Sequence, residues 1–412
     1  MQTRAKRIVF VNRFYYPDTS ATSQILNDLC SYLSQQGRNV TVITSRQRYT
    51  DAAASLPKRE FVQGTTVIRV ATSRFGRDRL AGRIVDYASF YVGAGWALVR
   101  ILGPDDVVVA MTDPPLISVV SAGAALLRRA VLVNWMQDVF PEVAGVLGLR
   151  KPWRALLAAL KAPRNWSLAR GRYNVVLSPQ MKVYLSACSA APESFRVIEN
   201  WPDDNIRPVP RERDRLRQEW GLGHQFVVGY SGNLGRVHDS QTLLQAIRAL
   251  ASDADVAFLF IGSGARLETL RREVESEGLA NVLFRPYQPR ERLSESLGVP
   301  DLHLVTQLPK TEGLVVPSKL YGIAAAGRPI LFVGCRSGYA SQMIEAHRCG
   351  QVIAVGDGAG LAESIRRLSR DREAVARMGE NARRAYETKF TAQQQLSKWR
   401  ALLDECLREN AS

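Results

Sequence analysis

Residues 312–332 read Glu-Gly-Leu-Val-Val-Pro-Ser-Lys-Leu-Tyr-Gly-Ile-Ala-Ala-Ala-Gly-Arg-Pro-Ile-Leu-Phe, and the rest of the chain is organised around them. Pro317 suits the first position of a helix, because its φ is already helical and its missing N–H would have no partner there. Ser318 and Lys319 then fall in the first turn, where free backbone N–H groups and the helix dipole attract anions. Gly327 ends the helix, and the apolar residues after it predict a buried strand. The stretch is either an anion site with a lysine or an ordinary helix–strand connection, and spacing alone leaves both open.

Length and charge bound the class of protein. The chain has 412 residues, too many for one ordinary core, so two domains are expected. Its 55 basic and 39 acidic residues give a net charge of +16, which is typical of proteins that bind nucleic acid, anionic lipid or acidic small molecules. The five cysteines show no paired spacing and the four histidines are dispersed, which predicts a reducing compartment and argues against a histidine-rich metal site, while an all-carboxylate site stays open. The first strand follows the N-terminus directly, so no signal peptide is predicted.

The first half alternates strands and helices. Residues 8–11 read as a buried strand, 25–33 as an amphipathic helix and 40–43 as the next strand, which predicts a parallel sheet with helices on both faces. The loop 12–23 lies at the carboxyl end of the first strand, where open α/β sheets hold ligands. Its candidate ligand-binding residues are Asn12, Arg13 and Ser23.

Asp138 follows another strand of this half, predicted over residues 130–135. In a parallel sheet it would face the same ligand-binding edge as the loop 12–23. Alternatively, Asp138 caps the turn that follows, which is a common position for aspartate.

The second half alternates in the same way. The strand predicted at 226–230 ends in a glycine-rich loop whose Gly232, Asn233 and Arg236 are candidate anion-binding residues, together with Lys319. The proline-bearing stretch 197–210 is the best candidate linker. We therefore expect a first domain over 1–203, a second over 204–390, and a terminal helix over 391–412 that packs back on the first domain.

Two segments of the first half combine apolar and basic residues without being long enough to span a bilayer. The helix predicted at 84–99 is surrounded by Arg74, Arg77, Arg79, Arg83 and Arg100. The segment 151–172 carries Lys151, Arg154, Lys161, Arg164, Arg170 and Arg172, with Trp153, Leu156, Leu157, Leu160 and Trp166 between them. This pattern favours helices that lie on an anionic membrane surface. The alternative is core helices whose arginines are solvated.

Several motifs resemble those of retaining glycosyltransferases of family 4, in the bacterial branch that includes colanic-acid and N-acetylfucosamine transferases. The donor-side motifs are Tyr230-Ser-Gly-Asn-Leu-Gly235, the stretch from Glu312 to Lys319, and Ala326-Gly-Arg-Pro329. Tyr15-Tyr-Pro17 and Gln137-Asp-Val-Phe-Pro-Glu142 resemble the acceptor side. The resemblance covers nearly the whole chain.

The resemblance implies an α/β fold of the GT-B type, in which two Rossmann-like domains face each other across a cleft and a C-terminal helix crosses back to the first. It implies a nucleotide-diphosphate sugar as donor, with no cofactor and no catalytic metal. The implied catalytic residues are Asp138 on the acceptor side, and Lys319 and Arg236 at the donor diphosphate. The implied substrate-binding residues are Gly232, Asn233, Tyr287, Glu312, Pro317, Ser318, Tyr321, Asn12, Arg13 and Ser23.

The basic, aromatic segments extend this expectation to the acceptor. We expect a polyprenyl-diphosphate-linked saccharide in bacterial surface or exopolysaccharide synthesis, at an enzyme bound peripherally to the cytoplasmic face of the inner membrane. No nucleic-acid partner is expected, because the aromatic residues cluster with leucines and no binding motif is present.

Three positions depart from the family pattern. Gly322 stands where many members carry a Glu that holds the ribose hydroxyls. Asn233 and His238 stand where many carry an Arg and a Lys in the phosphate loop, and Arg236 is the candidate replacement for that charge.

Two other enzyme classes are alternatives to a transferase. A nucleotide-sugar epimerase of the same fold would use the same donor without an acceptor. A nicotinamide oxidoreductase would need GxGxxG after a strand, and the pair Gly232 and Gly235 is too weak a signal for one.

Overall fold

The computed structural model describes residues 5–49, 51, 55–75, 80–147, 151–211 and 214–409. For residues 80, 151–154 and 409 the description covers the backbone alone. The chain divides into unit 1, comprising Met1–Glu199 and Gln395–Ser412, and unit 2, comprising Asn200–Gln394. It therefore leaves unit 1 after Glu199, builds unit 2, and returns to unit 1 for its last helix.

Unit 1 contains a mainly parallel sheet. Its strands are β1 (Arg7–Val11), β2 (Asn39–Ser45), β3 (Arg59–Val62), β4 (Thr65–Val70), β5 (Val107–Ala110), β6 (Val131–Trp135), β7 (Tyr173–Val176) and β8 (Phe195–Val197). Its helices before the crossing to unit 2 are α1 (Ala21–Gln35), α2 (Leu80–Ile101), α3 (Ile117–Arg128), α4 (Glu142–Val146), α5 (Lys151–Ala159), α6 (Lys161–Arg170) and α7 (Pro179–Ser186). Over the described residues the strand order is β3-β4-β2-β1-β5-β6-β7-β8, and β3 pairs antiparallel with β4 while the other pairs are parallel.

The core of unit 1 lies between the sheet and its helices. Val9 and Val11 of β1 pack in one cluster with Phe90, Ala94 and Leu98 of α2. These three α2 residues recur every four positions, which places them on one face of the helix. The opposite face of α2 is left exposed. Within the described residues, no helix combines the length and the apolarity that crossing a bilayer requires.

Unit 2 contains a second, wholly parallel sheet. Its strands are β9 (Phe226–Ser231), β10 (Val256–Ile261), β11 (Val282–Arg285), β12 (Leu302–Thr306), β13 (Ile330–Val333) and β14 (Gly350–Ile353). Its helices are α8 (Arg215–Glu219), α9 (Gln241–Ala249), α10 (Ala265–Ser276), α11 (Leu293–Gly298), α12 (Lys319–Ala325), α13 (Tyr339–His347), α14 (Gly358–Arg370) and α15 (Arg372–Ala385). The strand order is β11-β10-β9-β12-β13-β14 in the part of unit 2 that is described.

The last helix, α16 (Ala392–Glu409), returns the chain to unit 1. The indole of Trp399 is fully buried and lies 4.4 Å from that of Trp135, at the end of β6. Lys6 Nζ donates a hydrogen bond of 2.7 Å to the carbonyl oxygen of Leu407, and Tyr173 donates one to Glu405. Helix α16 thus contributes Trp399 to the core of unit 1, next to Trp135 from the first half of the chain.

The predicted fold class, two Rossmann-like α/β domains, is confirmed by the two sheets. The expected strands and helices are present with ends shifted by a few residues, and α12 begins at Lys319 rather than at Pro317. The segment 151–172 proves to be two helices, α5 and α6. Sequence analysis missed β3, β8 and β14, which are three or four residues long. Unlike the equally short β5, β7 and β13, these strands have no continuous run of buried residues, so their apolar signal is weak.

Candidate active site

Lys319 is held at the start of α12, close to the carboxyl end of β9. Its Nζ donates a hydrogen bond of 2.8 Å to the carbonyl oxygen of Asn233 and another to the hydroxyl of Tyr230. The ammonium also lies 4.2 Å from the centroid of the Tyr230 ring, within range of a cation–π interaction. The predicted lysine and the predicted loop after β9 therefore lie together, joined by a tyrosine to which sequence analysis gave no role in the site.

Burial sets the electrostatics of this cluster. It lowers the pKa of Lys319 to about 7, because burial removes water from the ammonium and no carboxylate among the described residues compensates for this loss. Burial, together with the charge of Lys319, lowers the pKa of His238 to about 3, and His238 Nδ1 lies 2.6 Å from the carbonyl oxygen of Thr306. His238 is therefore neutral at physiological pH and supplies no charge where many family 4 members carry a cation.

Glycines bring the loops after β9 and β10 into close contact. Gly232 has φ +116°, and a Cβ there would lie 3.2 Å from Cε of Lys319. A Cβ on Gly262, at φ +136°, would overlap the carbonyl oxygen of Gly232, and one on Gly264 would overlap the side chain of Asn233. The loop after β9, which lies beside Lys319, is therefore in direct backbone contact with the loop after β10.

Glu312 binds within unit 2 itself. Its Oε1 accepts a hydrogen bond of 3.0 Å from the backbone N–H of Tyr339, at the start of α13, and burial raises its pKa. A Cβ on Gly338 would overlap the same carboxyl group. Glu312 thus joins the loop between β12 and α12 to the start of α13. Tyr321 is fully buried, with its ring 5.3 Å from that of Phe390.

The other predicted donor-side residues lie at the surface or flank the cluster. Arg236 is exposed and makes no hydrogen bond or ion pair with any residue the structure describes. Ser318 is exposed and its hydroxyl does not cap α12, whereas Pro317 is buried. Tyr287 is 55% exposed, yet its phenol is near enough to add to the effect of burial in raising the pKa of Tyr230.

Gly322 has space around it. A Cβ there would meet Ile206 and Leu297 at 3.8 Å, which is ordinary van der Waals contact, and its φ is not positive. The backbone therefore does not require glycine at the position where many family 4 members carry a glutamate.

In unit 1, Asn12, Arg13 and Ser23 are buried beyond the end of β1. Asn12 Nδ2 donates 2.7 Å to the carbonyl oxygen of Phe14, while its Oδ1 is buried without a hydrogen-bond partner. Ser23 donates 3.1 Å to the carbonyl oxygen of Asp18. These contacts shape the loop 12–23 from inside.

The charge of Arg13 is compensated within unit 1. One of its terminal nitrogens lies 3.6 Å from Asp86 Oδ2, and its guanidinium lies over the rings of Phe14 and Tyr87 at 5.2 and 5.1 Å. Arg13 is thus a poor candidate for a free anion-binding cation.

Asp138 is exposed just beyond β6, and its carboxylate makes no hydrogen bond or ion pair with the described residues. The alternative, that Asp138 caps the following turn, is therefore supported by no side-chain hydrogen bond to a described residue. Desolvation by surrounding protein and the nearby Asp113 carboxylate raise the pKa of Asp138 to about 6, and solvent around the exposed side chain attenuates this shift.

Sequence analysis missed Asp113. It follows β5 as Asp138 follows β6, and β5 and β6 are adjacent parallel strands. The signal was available, because Thr112-Asp-Pro-Pro115 directly follows a predicted strand. Among the described residues, no group of three His, Cys, Asp or Glu is placed to hold a metal ion.

The basic, aromatic segments of unit 1 lie on neighbouring helices. Helix α2 contacts α3, α3 contacts α6, and α6 contacts α5. We define the apolar patch as the exposed apolar residues of these helices: Ile84, Val85, Val92, Trp96, Leu126, Leu127, Leu156 and Trp166. Exposed basic residues border it, namely Arg83, Arg100, Arg128, Arg129, Lys161 and Arg170.

Some predicted members of this surface are placed elsewhere. Arg164 is buried and lies 2.7 Å from the carboxylate of Glu142. This ion pair neutralises the charge of Arg164 inside unit 1. Arg77 and Arg79 lie outside the described residues, as do the side chains of Lys151, Trp153 and Arg154.

Comparison with known proteins agrees with the fold. HepE of Anabaena, solved in complex with UDP-glucose, superposes with a TM-score of 0.71 at 18% identity, covering 97% of this chain and 99% of that one. This likeness defines the fold as GT-B. Residues 212–385 match the family model described as "Glycosyl transferases group 1".

Two curated relatives give the same class. The chain is 29% identical over 266 residues to the probable glycosyltransferase WbjE of Pseudomonas aeruginosa, covering 63% of this chain and 65% of that protein. It is 26% identical over 331 residues to the putative colanic acid biosynthesis glycosyl transferase WcaI of Escherichia coli K12, covering 76% and 79%. The chain thus spans just under two thirds of the length of WbjE. The group 1 model thus matches less than half of this chain, and both relatives are described as glycosyltransferases.

Proposed function

We propose that this protein is a retaining glycosyltransferase that moves a sugar from a nucleotide-diphosphate sugar to a polyprenyl-diphosphate-linked saccharide in bacterial surface-glycan synthesis. The observation that carries the proposal is the cluster of Lys319, Tyr230 and Asn233 at the carboxyl end of β9. It presents an ammonium that has no carboxylate partner among the described residues, beside two loops whose glycines let their backbones come into contact.

The chemistry of the donor explains this cluster. Departure of the nucleotide builds negative charge on its diphosphate, and a preorganised cation at a developing anion lowers the barrier by about 2.7–4 kcal/mol. Lys319 supplies that cation, and the exposed Arg236 is free to turn towards the phosphates. The UDP-glucose named in the HepE complex supports a nucleotide sugar as donor.

The carboxylates of unit 1 provide the acceptor side of the proposal. Asp138, with Asp113 beside it, orients the acceptor hydroxyl. In a retaining transfer, a phosphate oxygen of the donor takes the proton of that hydroxyl.

The experiment that tests the activity combines donor and acceptor in separate arms. A panel of nucleotide sugars is screened by thermal shift, since a true donor stabilises the fold by mass action. The best donor is then incubated with and without a polyprenyl-diphosphate disaccharide, and both mixtures are followed by ¹H NMR. We expect a new anomeric signal on a lengthened glycan, with the anomeric configuration of the donor sugar, only when the acceptor is present. Conversion of the sugar without acceptor would identify an epimerase instead, and no reaction of any donor would overturn the proposal.

The apolar patch supports a membrane-borne acceptor. Val92 and Trp96 are 74% and 61% exposed and lie one turn apart on α2, and Arg100 follows one turn later. Such a face, bordered by cations, suits an anionic lipid surface.

Co-sedimentation with vesicles tests this part of the proposal. We expect Val92→Glu to weaken binding to phosphatidylglycerol vesicles about tenfold, because it removes an apolar contact and adds a repelled charge. Val183→Glu, at a 70% exposed valine of α7 outside the patch, is the matched control. Equal binding by both variants would remove the patch from the proposal.

A further inference from the structure

A pocket of about 420 Å³ opens in unit 1 at the end of the sheet where β1 and β2 begin. Asp138 lies at the opposite end of the same sheet. It is lined by Arg7, Asn39, Thr41, Arg59, Thr66, Ile68, Arg100 and Ile101. The strand residues come from the beginnings of β1 and β2 and from β4 with its antiparallel partner β3. Asp138 lies beyond the carboxyl end of β6, whose strand runs parallel to β1 through β5.

The pairing of β1 to β4 explains why the strand residues line the same side of the pocket. Arg7 pairs with Asn39, Thr41 pairs with Thr66, and Arg59 pairs with Ile68. Paired residues project to the same face of a sheet, and residues two apart on one strand do so as well. This face is the one that α2 covers, and the pocket opens where α2 ends at Arg100 and Ile101.

The lining is cationic. It contains three guanidinium groups and no carboxylate. Arg7 is fixed in place by a hydrogen bond from its guanidinium to the carbonyl oxygen of Ile101, and its Nε lies 3.5 Å from Asp106. Arg59 and Arg100 are exposed and have no ion-pair partner among the described residues, and Arg100 lies 4.4 Å over the ring of Trp96.

The floor of the pocket offers polar groups with unused bonding capacity. The side chains of Asn39, Thr41 and Thr66 make no hydrogen bond to any residue that the structure describes. Thr41 is 3% exposed, so its hydroxyl gains a partner only from what enters the pocket. Guanidinium groups around hydroxyl and amide donors are the arrangement that binds phosphate oxygens.

We propose that this pocket binds a phosphate group, as a second anion site that is separate from the donor site in unit 2. The phosphate is carried either by a membrane phospholipid or by a soluble phosphorylated compound. The first source fits the position of Arg100, which lines the pocket and also contacts Trp96 of the apolar patch.

The test uses the full-length protein with Lys319→Ala throughout, so that the donor site does not contribute to phosphate binding. The pocket variant is Arg59→Gln with Arg100→Gln. The matched control is Arg129→Gln with Arg170→Gln, which removes two exposed arginines of the same unit that border the patch but not the pocket. Folding of each protein is checked by circular dichroism and thermal melting. One arm measures binding of inorganic phosphate by ³¹P NMR line broadening, and the other measures co-sedimentation with phosphatidylglycerol or phosphatidylcholine vesicles.

We expect the pocket variant to bind phosphate at least about tenfold more weakly than the parent, because two charge-assisted contacts are lost, while the control is unchanged. A loss of phosphatidylglycerol binding greater than that of the control identifies a lipid head group as the source. Loss in the phosphate arm alone identifies a soluble phosphate compound. If the pocket variant behaves as the control does in both arms, the pocket is not a phosphate site.

Discussion

At the scale of single residues, Lys319 combines a depressed pKa with the position at which we propose that the donor diphosphate binds. In the absence of donor its ammonium is satisfied by Tyr230 and Asn233, groups that carry no formal charge. A diphosphate would be a stronger partner than either of them. The lysine is thus preorganised without being neutralised, as a residue at a developing anion should be.

Removal of this ammonium gives the first prediction. Lys319→Ala should lower turnover roughly 100- to 1000-fold with the fold intact, because the leaving diphosphate loses a preorganised cation. Initial rates of donor consumption measure the effect, and melting curves of both proteins control for folding. Arg370→Ala, at an exposed arginine at the end of α14, is the control. Turnover near that of the parent would remove Lys319 from the mechanism.

The pKa values give the second prediction. The pKa of Lys319 is about 7, so its ammonium is charged when the pH is below that value. We therefore expect kcat/KM for the donor to fall as the pH rises through the pKa. On the acid side kcat/KM should rise as Asp138 ionises, since its pKa is raised to about 6. Lys319→Arg should abolish the alkaline limb, because guanidinium stays charged, and Asp138→Asn should flatten the acid limb. Unchanged limbs in these two variants would assign the titrations to other groups.

At the scale of elements, the loops after β9 and β10 are held by glycine backbones in contact. The third prediction is that Gly262→Ala lowers the free energy of unfolding by about 1–3 kcal/mol, since it places a Cβ on the Gly232 carbonyl at a positive φ. Gly223→Ala, where a Cβ would meet nothing within 4 Å, is the control. Thermal denaturation measures both, and equal melting temperatures would show that the loops relax freely.

The buried elements and the position of Lys319 can be predicted from sequence, because both rest on local patterns. Apolar runs such as Val256–Ile261 define strands, and proline followed by a lysine defines a helix start. The meeting of Lys319 with Tyr230 depends on the pairing of β9, β12 and β13, which joins residues 89 positions apart. No single-sequence pattern encodes such a distance. The neutral state of His238 likewise depends on burial that only the assembled sheet creates.

At the scale of the whole molecule, unit 1 is completed by α16. The fourth prediction is that Trp399→Ala lowers the free energy of unfolding of unit 1 by about 3–5 kcal/mol, because it leaves a cavity beside Trp135. Denaturant titration followed by circular dichroism measures the loss. Arg400→Ala, one position on, is the control, because its side chain is 45% exposed and outside the core, where it donates a hydrogen bond to Gln36. Matching midpoints for the two variants would show that α16 only rests on unit 1.

The return of the chain from unit 2 to unit 1 affects its synthesis on the ribosome. Residues 200–394 can emerge and fold as a contiguous block, whereas the sheet that ends in Trp135 emerges long before the helix that covers it. During that interval the nascent first half exposes the apolar face that α16 will occupy, and such surfaces recruit chaperones or aggregate. A polypeptide whose synthesis stops between residues 394 and 399 therefore has a complete unit 2, whereas its unit 1 still lacks the last helix.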